Sequence, residues 1–249
     1  MLILLPPSET KRAGGAGAPW DAAALSFAAL SPVRESVVDA LVALSADEDT
    51  AVRILRLGAR QRGEVAVNAA LRMSPTMPAV DRYTGVLYDA LAAASLDAVS
   101  RRWLGRHVVV HSAPFGPVRA LDPIPSYRLG ATASLPGLAP LPRVWADAVT
   151  AAIEEAAPAF VLDLRSEAYV ALGPLPASVR SVYVRVVSEG ADGVARALNH
   201  FNKHAKGALV RRLAQERPRI ASARGLVSWA DAAGLRVRAR AQGELELFA

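Results

Sequence analysis

The sequence predicts one α/β or α+β domain covering residues 1–249, with a central mixed β-sheet flanked by helices. Three observations carry this. Short apolar runs alternate with stretches of helical periodicity, without an internal repeat. Several of those runs end at a polar, often proline-broken turn, as Leu2-Ile3-Leu4-Leu5 does before Pro6-Pro7-Ser8-Glu9-Thr10-Lys11. Finally, 52% of the 249 residues are apolar, ample for one large core, and no low-complexity linker divides the chain.

The elements follow in order. Strands are expected at residues 2–5, 108–111, 160–164 and 182–187, each a compact run rich in Leu, Ile or Val. Apolar residues recur every three or four positions over 36–57, 86–104, 144–156 and 194–214, which predicts helices there. Residues 235–240 and 244–248 alternate apolar and charged side chains around Ala241-Gln242-Gly243, the pattern of a terminal hairpin with one wet face. Residues 13–19 and 130–142 are Gly/Ala- and Pro/Gly-rich connections, too short and too apolar for disordered tethers. A run that delivers a polar turn to one sheet edge is where open α/β sheets build their sites.

Composition excludes several classes. With no cysteine, disulfides, thiolate metal sites and cysteine nucleophiles are ruled out. No run approaches the roughly 18 apolar residues of a membrane span, and the first apolar run is short and lacks a basic flank, so a cytoplasmic protein without a membrane role is expected. The net charge is +6, but eleven Lys/Arg against only Glu216 and Asp231 fall between Arg196 and Arg240. Such concentration is the usual footprint of a phosphate-bearing partner, and equally of a plain solvated surface.

On a helical wheel, Leu198, Phe201, Ala205, Ala208 and Leu209 share one face of the 194–214 segment; Arg196, Asn199, His200, Lys203, Lys206 and Gly207 share the other. Glycine costs about 1 kcal/mol against alanine in a helix. Gly207 is therefore expected where a backbone or a ligand comes close.

Several motifs in one order resemble the YaaA peroxide-stress family. They are the Pro-Ser-Glu-Thr-Lys start, Tyr83-Thr84-Gly85, Ser112 through Phe115-Gly116, Asp122, Tyr127-Arg128-Leu129, Trp145, Ser166-Glu167-Ala168-Tyr169 and Lys203-His204-Ala205-Lys206-Gly207. The resemblance covers nearly the whole chain. It implies DNA binding and protection from peroxide and iron damage, with basic residues along a positively charged cleft.

Three constellations could carry chemistry. Lys11, Arg128, Lys203 and Lys206 form an anion cradle, an arginine fork beside movable lysine charges, and the matched motifs add Ser8, Tyr83, Thr84 and Tyr127 to this set, with Arg211 and Arg212 as outlying cations. The alternative for Arg128 is a structural arginine tied to Asp122 or Glu167. The second group is Glu9, Asp163 and Glu167 with Ser8, Ser166 and Tyr169, where Glu167, helped by Ser166 and Tyr169, could act as acid or base. Ser166 before Glu167 reads equally as a helix cap with an acidic first turn. The third, His200-x-x-x-His204, has helical zinc spacing without further ligands, and His107 and His111 belong to a separate strand, so no metal is expected.

Neither a phosphate-binding glycine loop, a dinucleotide fingerprint nor a nucleophile elbow occurs, and no cofactor is indicated. The leading expectation is DNA held in a basic cleft with weak sequence preference. The alternative is an enzyme acting on a small phosphorylated or nucleoside-like anionic substrate in the same cleft. A third reading makes the motifs loop-fixing. A helix-hairpin-helix element, which the resemblance associates with DNA binding, would need a glycine turn such as 57–63 or 101–105.

Overall fold

A computed structural model describes residues 1–189, 195–197 and 201–249. In chain order its strands are β1 Leu2–Leu5, β2 Gly17–Pro19, β3 Pro75–Pro78, β4 Val108–Ser112, β5 Gly116–Arg119, β6 Pro123–Ile124, β7 Val161–Asp163, β8 Ser181–Glu189, β9 Ala195–Ala197, β10 Val237–Ala241 and β11 Glu244–Phe248. The main sheet runs β10-β11-β8-β7-β1-β4-β5, with β9 also paired to β8, while β2, β3 and β6 make a small second sheet. β1 is parallel to both β4 and β7, β7 to β8, and β8 to β11; the outer pairs β4-β5 and β10-β11 are antiparallel. This is the mixed sheet that the sequence predicts. β1 and β4 are buried throughout, which is why they read as continuous apolar runs rather than alternating ones.

The helices are α1 Ser31–Leu44, α2 Glu48–Leu55, α3 Glu64–Ala69, α4 Ala79–Arg82, α5 Val86–Leu91, α6 Ala98–His107, α7 Leu141–Glu155, α8 Glu167–Val170, α9 Phe201–Glu216 and α10 Ala223–Ala232. Two expected helices are each split. The 36–57 stretch breaks at Asp47, whose side chain accepts from the Thr50 N–H and starts α2 afresh. The 86–104 stretch breaks at Ala92, in left-handed conformation, and restarts where Asp97 caps α6 through the Ser100 N–H. Apolar spacing runs on across both breaks because both halves pack on one core. Residues 101–105 lie inside α6, so no hairpin turn forms there.

The expected helix start at Val194, with Leu198, Asn199 and His200, falls outside the described residues. Ala195–Ala197 pairs with β8 as a strand, and α9 begins at Phe201. α9 also departs from the wheel. Lys206 and Gly207 are buried and Ala208 is exposed, because the helix is covered both by α5 and by the sheet. A Cβ on Gly207 would lie 2.1 Å from the Leu87 carbonyl oxygen, so the close approach that the glycine anticipates is to the backbone of α5.

Candidate functional site

The C-terminal ends of parallel β1 and β7 open into one cleft of about 1590 Å³. The β1 loop brings Ser8, Glu9 and Lys11, the β7 loop brings Ser166 and Tyr169, and α9 brings Asn202, Lys203 and Lys206. The stretch from Arg128 to Pro136 forms another wall, and Arg53, Arg56 and Gln61 a further one. Among the described residues, six Lys or Arg side chains line the cleft against one carboxylate, Glu9.

Lys11 is held from two sides. Its Nζ donates to the carbonyls of Ser8 (3.0 Å) and Glu9 (3.2 Å) and lies 4.0 Å from the centre of the Tyr127 ring and 5.6 Å from that of Tyr83. Burial, reinforced by the charge of Arg128, lowers its pKa to about 7. Tyr83 and Tyr127 are a buried floor, their hydroxyls 2.8 Å apart, and burial pushes both phenols up. Thr84 acts through its backbone, which accepts from the Thr10 hydroxyl and donates to the Thr10 carbonyl. These three of the expected anion-binding residues shape the loop under Lys11.

Arg128 donates to a Glu9 carboxylate oxygen at 3.0 Å; its own side chain is 15% exposed and that of Glu9 81%. It is tied neither to Asp122 nor to Glu167. Its backbone is fixed by Asn68, whose amide accepts from the Arg128 N–H (2.7 Å) and donates to the Arg128 carbonyl (2.9 Å). Asp122 serves elsewhere, accepting from the N–H and hydroxyl of Ser26 and from the Arg119 N–H.

Lys203 is exposed on the cleft wall, whereas Lys206 is only 5% exposed. Burial lowers the Lys206 pKa to about 8, with Asp163 acting against that shift and Arg185 adding to it. Asp163 is buried and ion-paired with Arg165 at 2.7 Å, and it also accepts from the Arg165 N–H, so it shapes the β7 loop. Arg165 donates further to the Gly173 carbonyl and to Nδ1 of His111, whose protonation burial and Arg165 oppose. Since arginine only donates, His111 carries its proton on Nε2, which has no partner among the described residues.

Ser166 is the residue before α8, yet its side chain makes no capping bond, and Tyr169 is partly buried with its phenol pushed up by burial. Glu167 turns away from the main cleft. It lies 3.3 Å from Arg185 and lines a neighbouring cavity of about 590 Å³. The carboxylate group expected from sequence is thus dispersed among three partners: Arg128 for Glu9, Arg165 for Asp163 and Arg185 for Glu167.

Other motif residues are architectural. Trp145 donates to the Ala113 carbonyl at 3.0 Å and lies on Gly116, where a Cβ would come within 2.8 Å of the ring. Arg211 donates to the carbonyls of Leu91 and Ala92, and Arg212 pairs with Glu216; neither lines the cleft. His204 is exposed, and no cluster of three His, Cys, Asp or Glu suited to a metal occurs among the described residues. No helix among them is long and apolar enough to cross a membrane.

Sequence reasoning missed Arg53, Arg56, Gln61, Asn68 and Asn202. The one available signal was the 57–63 glycine turn between α2 and α3, which contains Gln61 and follows Arg53 and Arg56.

Comparison with known proteins agrees with this arrangement of motifs. The model of a family described as peroxide stress protein YaaA matches residues 1–241. A UPF0246 protein of Corynebacterium efficiens is 46% identical, covering 92% of this chain and 90% of its own. One from Corynebacterium glutamicum is 43% identical over 94% of both chains, and one from Streptomyces coelicolor 45% over 86% and 82%. The chain belongs to the YaaA peroxide-stress protein family.

Proposed function

We propose that the cleft binds DNA through its phosphates and that the protein thereby takes part in the response to hydrogen peroxide, sheltering DNA from iron-driven and oxidative damage. The family suggests the peroxide association. The observation that supports the DNA reading is the cleft's excess of positive charge, six Lys and Arg side chains from separate parts of the chain against the one carboxylate of Glu9 among the described residues. Lys11 and Lys206 are drawn out of water with pKa values lowered to about 7 and about 8, a burial that a bound anion would offset. The cleft offers few exposed aromatic rings and so favours backbone contact over base-sequence reading.

Binding measured between roughly 50 and 200 mM salt should give a log-log slope of about −4 to −5, the result of four to six phosphate contacts on duplex. A slope near zero would overturn the proposal. The alternative, turnover of a small phosphorylated or nucleoside-like substrate, is favoured by one observation: Lys11, Ser166 and Tyr169 line one cleft deep enough to bury an amine. A screen of nucleotides and nucleosides with the wild type, Tyr169→Phe and Glu167→Gln addresses it. Turnover lost in Tyr169→Phe would favour the enzyme in the main cleft, whereas turnover unchanged in both variants would remove both residues from it.

A further inference from the structure

The main cleft and its smaller neighbour meet at Ser166, Ala168, Asn202 and Lys206, which line both. The two compartments differ in chemistry. The cleft is cationic. The 590 Å³ cavity is near balance, because Arg185 and Arg240 both pair with Glu244, Arg185 also with Glu167, and Glu246 receives Arg238. Its wall carries the Tyr183 ring, with the Arg185 guanidinium 5.3 Å from the ring centre and the Lys206 ammonium 5.9 Å from it.

At the junction stand two polar groups one helical turn apart on α9. Lys206 is a buried donor. Asn202 has a buried Oδ1 with no hydrogen-bond partner among the described residues. A buried amide oxygen left without an N–H is costly unless something supplies one. A group placing a carbonyl beside an N–H would answer both residues, and a flat ring bearing that edge would have Tyr183 and Arg185 as stacking surfaces. Joined to phosphate, such a ring matches the order of the compartments: polyanion in the cleft, neutral planar polar group next to it.

We propose that the smaller cavity is a nucleobase subsite, with Asn202 and Lys206 contacting the base edge and the phosphate of the same nucleotide lying in the cationic cleft. The inference rests on the reading of the cleft as a phosphate site. The nucleotide is either free or an unpaired unit of a strand, and the chemistry is shared.

The test compares affinities. Wild-type protein should bind a 5′-nucleoside monophosphate about tenfold or more tightly than ribose 5-phosphate, the scale of one stacked, edge-bonded base. A single-stranded oligonucleotide should show the same preference over an abasic sugar–phosphate strand of equal length if the nucleotide belongs to a strand; preference confined to the monophosphate would assign the free form. In Asn202→Leu, and independently in Tyr183→Leu, the ratio should collapse toward one, with thermal melting confirming the fold. Ribose 5-phosphate and abasic strand binding as well as their base-bearing counterparts in the wild type would overturn the subsite and leave the phosphate cleft standing. Absence of binding by all four ligands would overturn both.

Discussion

Lys206 is a buried cation whose favourable countercharge, Asp163, is already engaged by Arg165. Its lowered pKa gives a signed expectation. In the unfolded chain the amine titrates near its ordinary value of 10.5, and in the folded protein at about 8. Below pH 8 both states are protonated and the folded state bears the whole penalty. As pH rises from about 8 to 10.5 the folded state releases its proton first, so stability rises through that window. Lys206→Met should therefore raise stability at pH 7 by about 1–3 kcal/mol and flatten its rise above pH 8, leaving the slope due to Lys11. Anion affinity should fall severalfold in the same variant. Urea unfolding at pH 7 and about pH 9.5 reads the first effect, and a variant less stable than wild type at pH 7 would contradict it.

At the scale of elements, the site depends on how closely α9 lies on α5, since α9 carries Asn202, Lys203 and Lys206. Gly207 permits that approach. Gly207→Ala improves helix propensity by about 1 kcal/mol but forces a Cβ to within 2.1 Å of the Leu87 oxygen, where backbone must move. The net result should be destabilisation of about 1–3 kcal/mol, seen as a lower melting temperature, together with weaker anion binding as α9 shifts. An unchanged melting temperature would show that the helices are free to separate. The same pair marks how far the sequence was legible. Strands β1, β4, β7 and β8 and the terminal hairpin were readable because apolar runs and alternation are local signals. The breaks at Asp47 and Ala92 were not, since apolar spacing continues through them. The main cleft was readable at Ser8, Lys11, Arg128, Ser166, Tyr169, Lys203 and Lys206, but the burial of Lys206 was not. A wheel assumes one covered face, and α9 is covered by α5 and the sheet together. Nor did any local pattern announce Asn68 clasping the Arg128 backbone across sixty residues.

Across the whole molecule, the basic C-terminal region and the Lys and Arg side chains that line the main cleft are largely different sets. Of the eleven cations between Arg196 and Arg240, Lys203 and Lys206 are the two that line the main cleft among the described side chains, while Arg212, Arg238 and Arg240 are engaged with Glu216, Glu246 and Glu244. The cleft draws its other charges from far away in sequence: Lys11, Arg53, Arg56 and Arg128. Two triple variants with the same change in net charge separate these contributions. Arg53→Ala, Arg56→Ala and Lys203→Ala together should weaken duplex DNA binding at physiological salt and make the log-log salt slope shallower by about 2 to 3, roughly 0.9 per lost phosphate contact. Arg212→Ala, Arg219→Ala and Arg224→Ala together remove as much positive charge from exposed positions that line neither cavity. That protein should keep the slope and nearly all of the affinity, because long-range attraction alone is screened beyond about 8 Å at physiological ionic strength. Equal losses in the two variants would mean that DNA answers to total charge, and the cleft would lose its claim to be the binding site.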